Sequence, residues 1–196
     1  MHRVFVDANV LGSKTQYDWL FMLKVECYMY AVVTSQDVLD EAHRVWRLRY
    51  PAMDGSSRRR REEHFQKFFD DILSEWPGGE VASLKDINDA HVYNAAAAAG
   101  ADVLLTNNAK DFGDSAELPF DVYTPDEFYC LVAANSPNTV REVTLKQAMY
   151  WNQRLKTNPD SPPKRLDEAL QKAGCPKFAL VVAENVKVLS GLTASG

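Results

Sequence analysis

Apolar positions in this chain fall into short uninterrupted runs, separated by longer stretches in which they recur at helical spacing. Val4-Phe5-Val6 is such a run; it ends at Asp7 and reads as a buried strand. Nearly continuous apolar residues over 17–30 predict a helix, and Ala31-Val32-Val33 leads on to Thr34 and Ser35. Thr34 and Asp37 have the spacing of a helix-start box. Val38, Ala42 and Val45 follow at helical spacing, and Pro51 closes that helix. A turn at Asp54-Gly55-Ser56 precedes a charged helix expected over about 57–76, halted by Pro77-Gly78-Gly79. Asp86 opens a helix through the alanines 95–99, which Gly100 ends as a C-cap. Residues 103–106 read as a buried strand, 120–123 as a last strand, and Pro125 as the start of another helix. Strands alternating with helices predict an α/β sandwich with a mostly parallel sheet.

The pattern changes around Asn135-Ser136-Pro137-Asn138. Beyond it the spacing predicts two helical stretches, 140–155 and 166–189, separated by Asn158-Pro159-Asp160-Ser161-Pro162-Pro163. The expected organisation is therefore an α/β domain over 1–134 and a basic helical appendage over 135–196.

Composition narrows the class without fixing it. The 196 residues are 46% hydrophobic and 25% charged, which is ordinary for a globular chain with one sizeable core. No apolar run reaches the roughly 20 residues a membrane span needs, and the N-terminus is unlike a secretory signal. Cys27, Cys130 and Cys175 stand far apart, which suits a reducing cytoplasm and offers neither a disulfide framework nor a zinc site. Small buried hydrophobes are their simplest reading. The net charge of −5 is unusual for a dedicated nucleic-acid binder. It is unevenly spread: residues 1–130 hold 13 basic against 22 acidic residues, and 131–196 hold 9 against 5.

Four acids stand where an α/β fold gathers functional groups, outside the carboxyl ends of the strands. Asp7 follows the first strand, and Asp111 follows the strand at 103–106 after a short loop. Asp89 lies in the first turn of the alanine-rich helix, and Glu41 near the start of the helix after Ser35. Carboxylates within a few ångströms repel one another and take up protons unless a cation neutralises them. Hard oxygen donors select Mg²⁺ or Mn²⁺, which acidify water and stabilise a departing phosphate oxygen. Each acid also has a plain alternative. Asp7 and Asp111 suit turns, Glu41 suits a solvated helix face, and Asp86 with Asp89 suits helix capping.

Taken together, three segments resemble the PIN-domain family, especially the ribonuclease toxins of VapC-type toxin–antitoxin pairs. Val4-Phe5-Val6-Asp7-Ala8-Asn9-Val10-Leu11 resembles the opening strand with its D-x-N-h-L signature. Ser35-Gln36-Asp37-Val38-Leu39-Asp40-Glu41 resembles the second segment. Asp89-Ala90-His91-Val92, the alanine helix and Leu104-Leu105-Thr106-Asn107-Asn108-Ala109-Lys110-Asp111-Phe112 resemble the third, with its T-x-N-x-x-D-F ending. The resemblance covers about residues 1–130. It implies a PIN-like three-layer sandwich and a metal-dependent endoribonuclease that cleaves RNA phosphodiester bonds with metal-activated water. Asp7, Glu41, Asp89 and Asp111 would be both catalytic residues and ligands to Mg²⁺ or Mn²⁺. Asp86 would be a substitute for Asp89, Thr106 and Asn108 would support the loop by hydrogen bonding, and Asn9 would shape the turn after the first strand. A haloacid-dehalogenase reading would need D-x-D where Asn9 stands, and a receiver domain would need paired acids near its start. The remaining alternative is a non-catalytic PIN-like domain that binds RNA or a protein.

Arg58, Arg59, Arg60 and Arg61 form the one dense basic cluster, able to hold an RNA backbone but equally readable as a solvated helix face offset by Glu62 and Glu63. Trp46, Tyr50 and Phe65 could stack on bases, though aromatics at helical spacing more often belong to a core. The resemblance further implies a cognate antitoxin and a homodimer of the core, while the cysteine spacing and the lack of a membrane-length apolar run point to a cytoplasmic protein with no membrane partner. Residues 135–196 exceed the minimal toxin of that family.

Overall fold

The computed structural model describes residues 1–81, 84–113, 117–158 and 165–193. They divide into two compact units: one of 1–17 and 28–124, the other of 18–27 and 125–196. The basis of the first is an α/β arrangement around a five-stranded sheet. Its strands are β1 (His2–Val6), β2 (Tyr30–Ser35), β3 (Asp71–Leu73), β4 (Val103–Leu105) and β5 (Asp121–Tyr123). Their spatial order is β3-β2-β1-β4-β5, and every pairing is parallel. Parallel strands covered on both faces need apolar residues throughout, and Val4, Phe5, Val6, Val32, Val33 and Leu104 are fully buried.

The order decides where a site can form. The chain moves outward from β1 through β2 to β3, then returns to the other side of β1 with β4 and β5. The crevice between the carboxyl ends of β1 and β4 is thus a topological switch point, the place where open α/β sheets bind ligands. Asp7 and Thr106 are the residues just past those two ends.

The helices of this unit are α1 (Ala8–Leu11), the start of α2 (Lys14–Cys27), α3 (Gln36–Arg49), α4 (Gly55–Phe68) and α5 (Ala90–Ala98). Ser35, not Thr34, caps α3: its hydroxyl accepts from the Val38 N–H, while Thr34 stays in β2 and donates to the Val6 carbonyl at 3.0 Å. The charged helix expected to run to residue 76 ends at Phe68, and Asp71–Leu73 forms an edge strand instead. Asp70 prepares that switch by accepting the Val32 N–H at 2.7 Å, which fastens the segment to β2 before the strand begins. Gly100, at φ +59°, follows α5 in the left-handed conformation that glycine tolerates.

The second unit is helical. It holds Asp18–Cys27 of α2 together with α6 (Pro125–Asn135), α7 (Pro137–Thr157), α8 (Leu166–Lys172) and α9 (Pro176–Thr193). The single helix expected over 166–189 is two helices, broken at Gly174 with φ +80° and restarted at Pro176. Most of the separator expected between the helical stretches, 159–163, lies outside the described residues. Trp19, Tyr129 and Phe178 form the aromatic centre of this unit, with ring centroids 5.1 and 5.2 Å from Phe178. Buried Asp126 accepts the N–H groups of Lys177 and Phe178, satisfying the first turn of α9. Among the described residues no helix is long and apolar enough to cross a membrane, and no disulfide joins the three cysteines.

Candidate functional site

Asp7 is held in place before its side chain does anything. Its N–H donates to the Leu105 carbonyl at 3.1 Å, and its own carbonyl accepts from Val10 and Leu11 as α1 begins. The residue is only 5% exposed. Asp7 Oδ2 accepts from Thr106 Oγ1 at 2.7 Å and from Asn9 Nδ2 at 2.6 Å. Asn9 Nδ2 also reaches Thr106 Oγ1 at 3.0 Å, and the Asn108 N–H donates to the same oxygen at 3.1 Å. Asn108 therefore contributes through its backbone, and its side chain caps nothing.

Behind these residues stands a reciprocal amide pair that the sequence did not single out. Gln16 Nε2 donates to Asn107 Oδ1 at 2.8 Å, and Asn107 Nδ2 donates to Gln16 Oε1 at 3.0 Å. The Asn107 N–H donates to Asn9 Oδ1 at 2.9 Å. Gln16 is 2% exposed, so this pair locks the loop after β4 to α2 and, through Asn9, orients the Asp7 carboxylate. Asn107 occupies the variable position of the T-x-N segment, and Gln16 is one of several polar residues in the first turns of α2. No pattern marks either one.

The other acids come from three separate segments. Asp89 ends a 3-10 turn, Ile87–Asp89, that runs directly into α5, and it makes no side-chain capping bond. Asp86 is the cap of that turn, accepting the Asn88 N–H at 2.9 Å, which is the ordinary use of such a residue. Asp111 ends a second 3-10 turn, Ala109–Asp111. Phe112 is fully buried beneath it, and the Asp111 carbonyl accepts the Lys85 N–H at 2.9 Å. Glu41 lies on α3 with its carboxylate 3.5 Å from His91 Nε2. His91 Nδ1 is 2.7 Å from the Asn88 carbonyl and carries its proton there. The Glu41 pair is thus an ion pair only when the imidazole is doubly protonated.

The acids share one field. Burial pushes the Asp7 carboxyl up to about 6, with Asp89 and Glu41 adding to the rise, while Thr106 and the Ala8 N–H oppose it. Asp89 is also raised, first by burial, then by Asp86 and Asp111, with Glu41 adding and His91 opposing. Residues 7, 41, 86, 89 and 111 are therefore electrostatic neighbours despite their separation along the chain.

Among the described residues, no three His, Cys, Asp or Glu side chains stand close enough to make a complete ion cage. The donor set can still be tested against its chemistry. A Mg²⁺ or Mn²⁺ ion is commonly held by one or two carboxylates, with water filling the remaining positions. A buried carboxylate destabilised by its surroundings, bordered by further carboxylates and no thiolate, fits such a hard cation and does not fit structural zinc.

The arginine run lies on α4 and does not act as one patch. Arg58 pairs with Glu62 at 2.7 Å, Arg60 donates to Ser57 Oγ, and Arg61 lies over the Trp46 ring. Arg59 is exposed. Phe65 is core, packed edge-on to Tyr17, whereas Trp46 is half-buried and Tyr50 exposed.

No family model matches the chain, and no curated protein or solved structure matches it either.

Proposed function

We propose that the protein is a Mg²⁺- or Mn²⁺-dependent endoribonuclease with a PIN-like three-layer core, Asp7 being its central ligand. One observation carries this reading: a carboxylate at the sheet's switch point is buried and pushed up to about 6, a rise to which the neighbouring Asp89 and Glu41 add. An aspartate kept in that condition destabilises the fold at neutral pH, which makes sense where a divalent ion relieves it. Asp7 and Asp89 would hold the ion, with Glu41 and Asp111 completing the oxygen set directly or through water. When bound, the ion acidifies water and offsets negative charge at the phosphodiester.

The chain's own residues do the positioning. Thr106 and Asn9 fix Asp7 Oδ2, so the carboxylate needs little reorganisation to receive a cation. Glu41, its carboxylate 3.5 Å from His91 Nε2, would take the proton from the attacking water. Water attacks phosphorus, the P–O bond to the leaving nucleotide breaks, and the leaving oxygen takes up a proton. The three resembling segments extend the proposal to the toxin of a type II toxin–antitoxin pair, with an antitoxin as partner and a homodimer as assembly.

The experiment is cleavage of a mixed RNA pool by wild type and Asp7→Asn, with Mg²⁺, Mn²⁺ or EDTA. Asp7→Asn removes a charge and almost no volume. Cutting that needs the metal and falls at least about 100-fold in the variant, on the scale of losing a principal electrostatic contact, is expected. Asp7→Asn cutting at the wild-type rate would reject the assigned site. RNA bound but never cut by wild type would favour a non-catalytic binding domain.

A further inference from the structure

The end of α3 and the start of α4 carry a feature that the acidic site does not use. Arg61 lies over the Trp46 ring, Trp46 and Tyr50 have centroids 5.0 Å apart, and the Arg49 guanidinium stands 5.9 Å from the Tyr50 ring centre. Cation, indole, phenol and cation thus follow one another in a ladder. Its Trp46 rung is fixed, because Trp46 Nε1 donates to the Leu11 carbonyl at 3.2 Å. Tyr50, between Trp46 and the side chain of Arg49, is 44% exposed. The charge around it runs against the character of the chain. Residues 44–63 contain seven arginines and three acids, Asp54, Glu62 and Glu63, in a protein of net charge −5. Arg44, Arg47 and Arg59 are exposed and make no ion pair with any described residue. A structural stack would need neither the exposed ring nor the unpaired arginines. A polyanion with flat faces uses both.

We infer that this ladder is a subsite for single-stranded RNA, in which an unpaired base stacks on Tyr50 while Arg47 and Arg49 hold the flanking phosphates. Stacking on aromatic side chains with cationic neighbours is how unpaired nucleotides are bound without regard to sequence. Glu41 and Trp46 share α3, about 7.5 Å apart along its axis and roughly 140° apart around it, so the ladder and the acids belong to one helix but to different faces of it. A duplex keeps its bases inside and cannot present one to Tyr50. The inference rests on the nuclease reading for its purpose, but not for its test.

That test is binding of a short fluorescein-labelled single-stranded RNA, and of the same sequence as a duplex, to the full-length protein in EDTA, with Mn²⁺-dependent cleavage measured in parallel. Tyr50→Ala is expected to weaken single-strand binding by roughly 5- to 150-fold, the range for losing one base stack. Tyr50→Phe keeps the ring and should bind within about twofold of wild type, which separates stacking from damage to the helix end. Arg47→Gln should lower the salt dependence by about one phosphate contact. Wild-type affinity in Tyr50→Ala, or equal affinity for duplex and single strand, would overturn the subsite while leaving cleavage intact. Binding through Tyr50 with no cleavage would keep the subsite and end the nuclease reading. A wild type that binds neither RNA would overturn the subsite and leave the patch to a protein partner.

Discussion

Asp7 makes the fold less stable at the pH where it would work. An aspartate raised from 3.8 to about 6 binds its proton more tightly folded than unfolded. Its contribution to stability is present below about pH 4 and is lost as the pH rises through about 6. The gap of about two units corresponds to roughly 3 kcal/mol, an order-of-magnitude figure for one nearly buried group. Asp7→Asn removes the titration while leaving an amide oxygen for Thr106 and Asn9. The variant should therefore be more stable than wild type in EDTA near neutral pH, by up to about 3 kcal/mol, with the advantage gone below about pH 4. Urea melts across that range would check it. A variant that is less stable at neutral pH would mean that the buried charge is already compensated. Asp89 is shifted in the same direction, first by burial, and steepens the same trend.

At the scale of elements, the loop after β4 carries the arrangement. Thr106, Asn107 and Asn108 reach respectively Asp7, Gln16 with Asn9, and Thr106, so three consecutive residues tie β4 to β1 and α2. Asn107→Ala removes both side-chain hydrogen bonds of the buried Gln16–Asn107 pair and should cost about 1–3 kcal/mol. Gln16→Ala should cost less when Asn107 is already alanine, and a double-mutant cycle by denaturant melts should return a coupling of about 0.5–3 kcal/mol. A coupling near zero would show that the pair contributes only two separate contacts. Elements of this unit were legible where a run of apolar residues had no polar interruption, as in Val4-Phe5-Val6 and Val32-Val33. β3 was not, because three residues following a charged helix make a strand only by pairing with β2. The cap of α3 was misplaced by one residue, since Thr34 and Ser35 both suit a cap and only the pleat assigns Thr34 to the Val6 carbonyl. α8 and α9 read as one helix because Gly174 is a small interruption in an apolar pattern.

Across the whole molecule, every acid of the candidate site and the whole arginine–aromatic ladder fall within the unit of 1–17 and 28–124. Of that site, the acids Asp7, Glu41, Asp89 and Asp111 were visible as positions after strands and at helix starts. Their mutual influence was not, since it arises from burial and folding across more than 100 residues. His91, Gln16 and Asn107 had no sequence signal because their roles depend on partners far along the chain. Grouping of 18–27 with the C-terminal helices was equally invisible, those residues being an ordinary apolar helix in sequence.

The proposed role of the buried Asp7 carboxylate is to receive a divalent cation. It is tested most directly by thermal unfolding of wild type and Asp7→Asn in EDTA and in increasing Mn²⁺, near pH 7 and near pH 5, with no knowledge of the RNA target required. An ion bound only by the folded chain at about 100 times its Kd adds about 2.7 kcal/mol, on the order of 5–10 °C in Tm for a chain this size. The wild type should rise by that order near pH 7 and far less near pH 5, where Asp7 keeps its proton, and Asp7→Asn should not respond at either pH. Equal Mn²⁺ stabilisation of both proteins, or none of the wild type, would contradict the account.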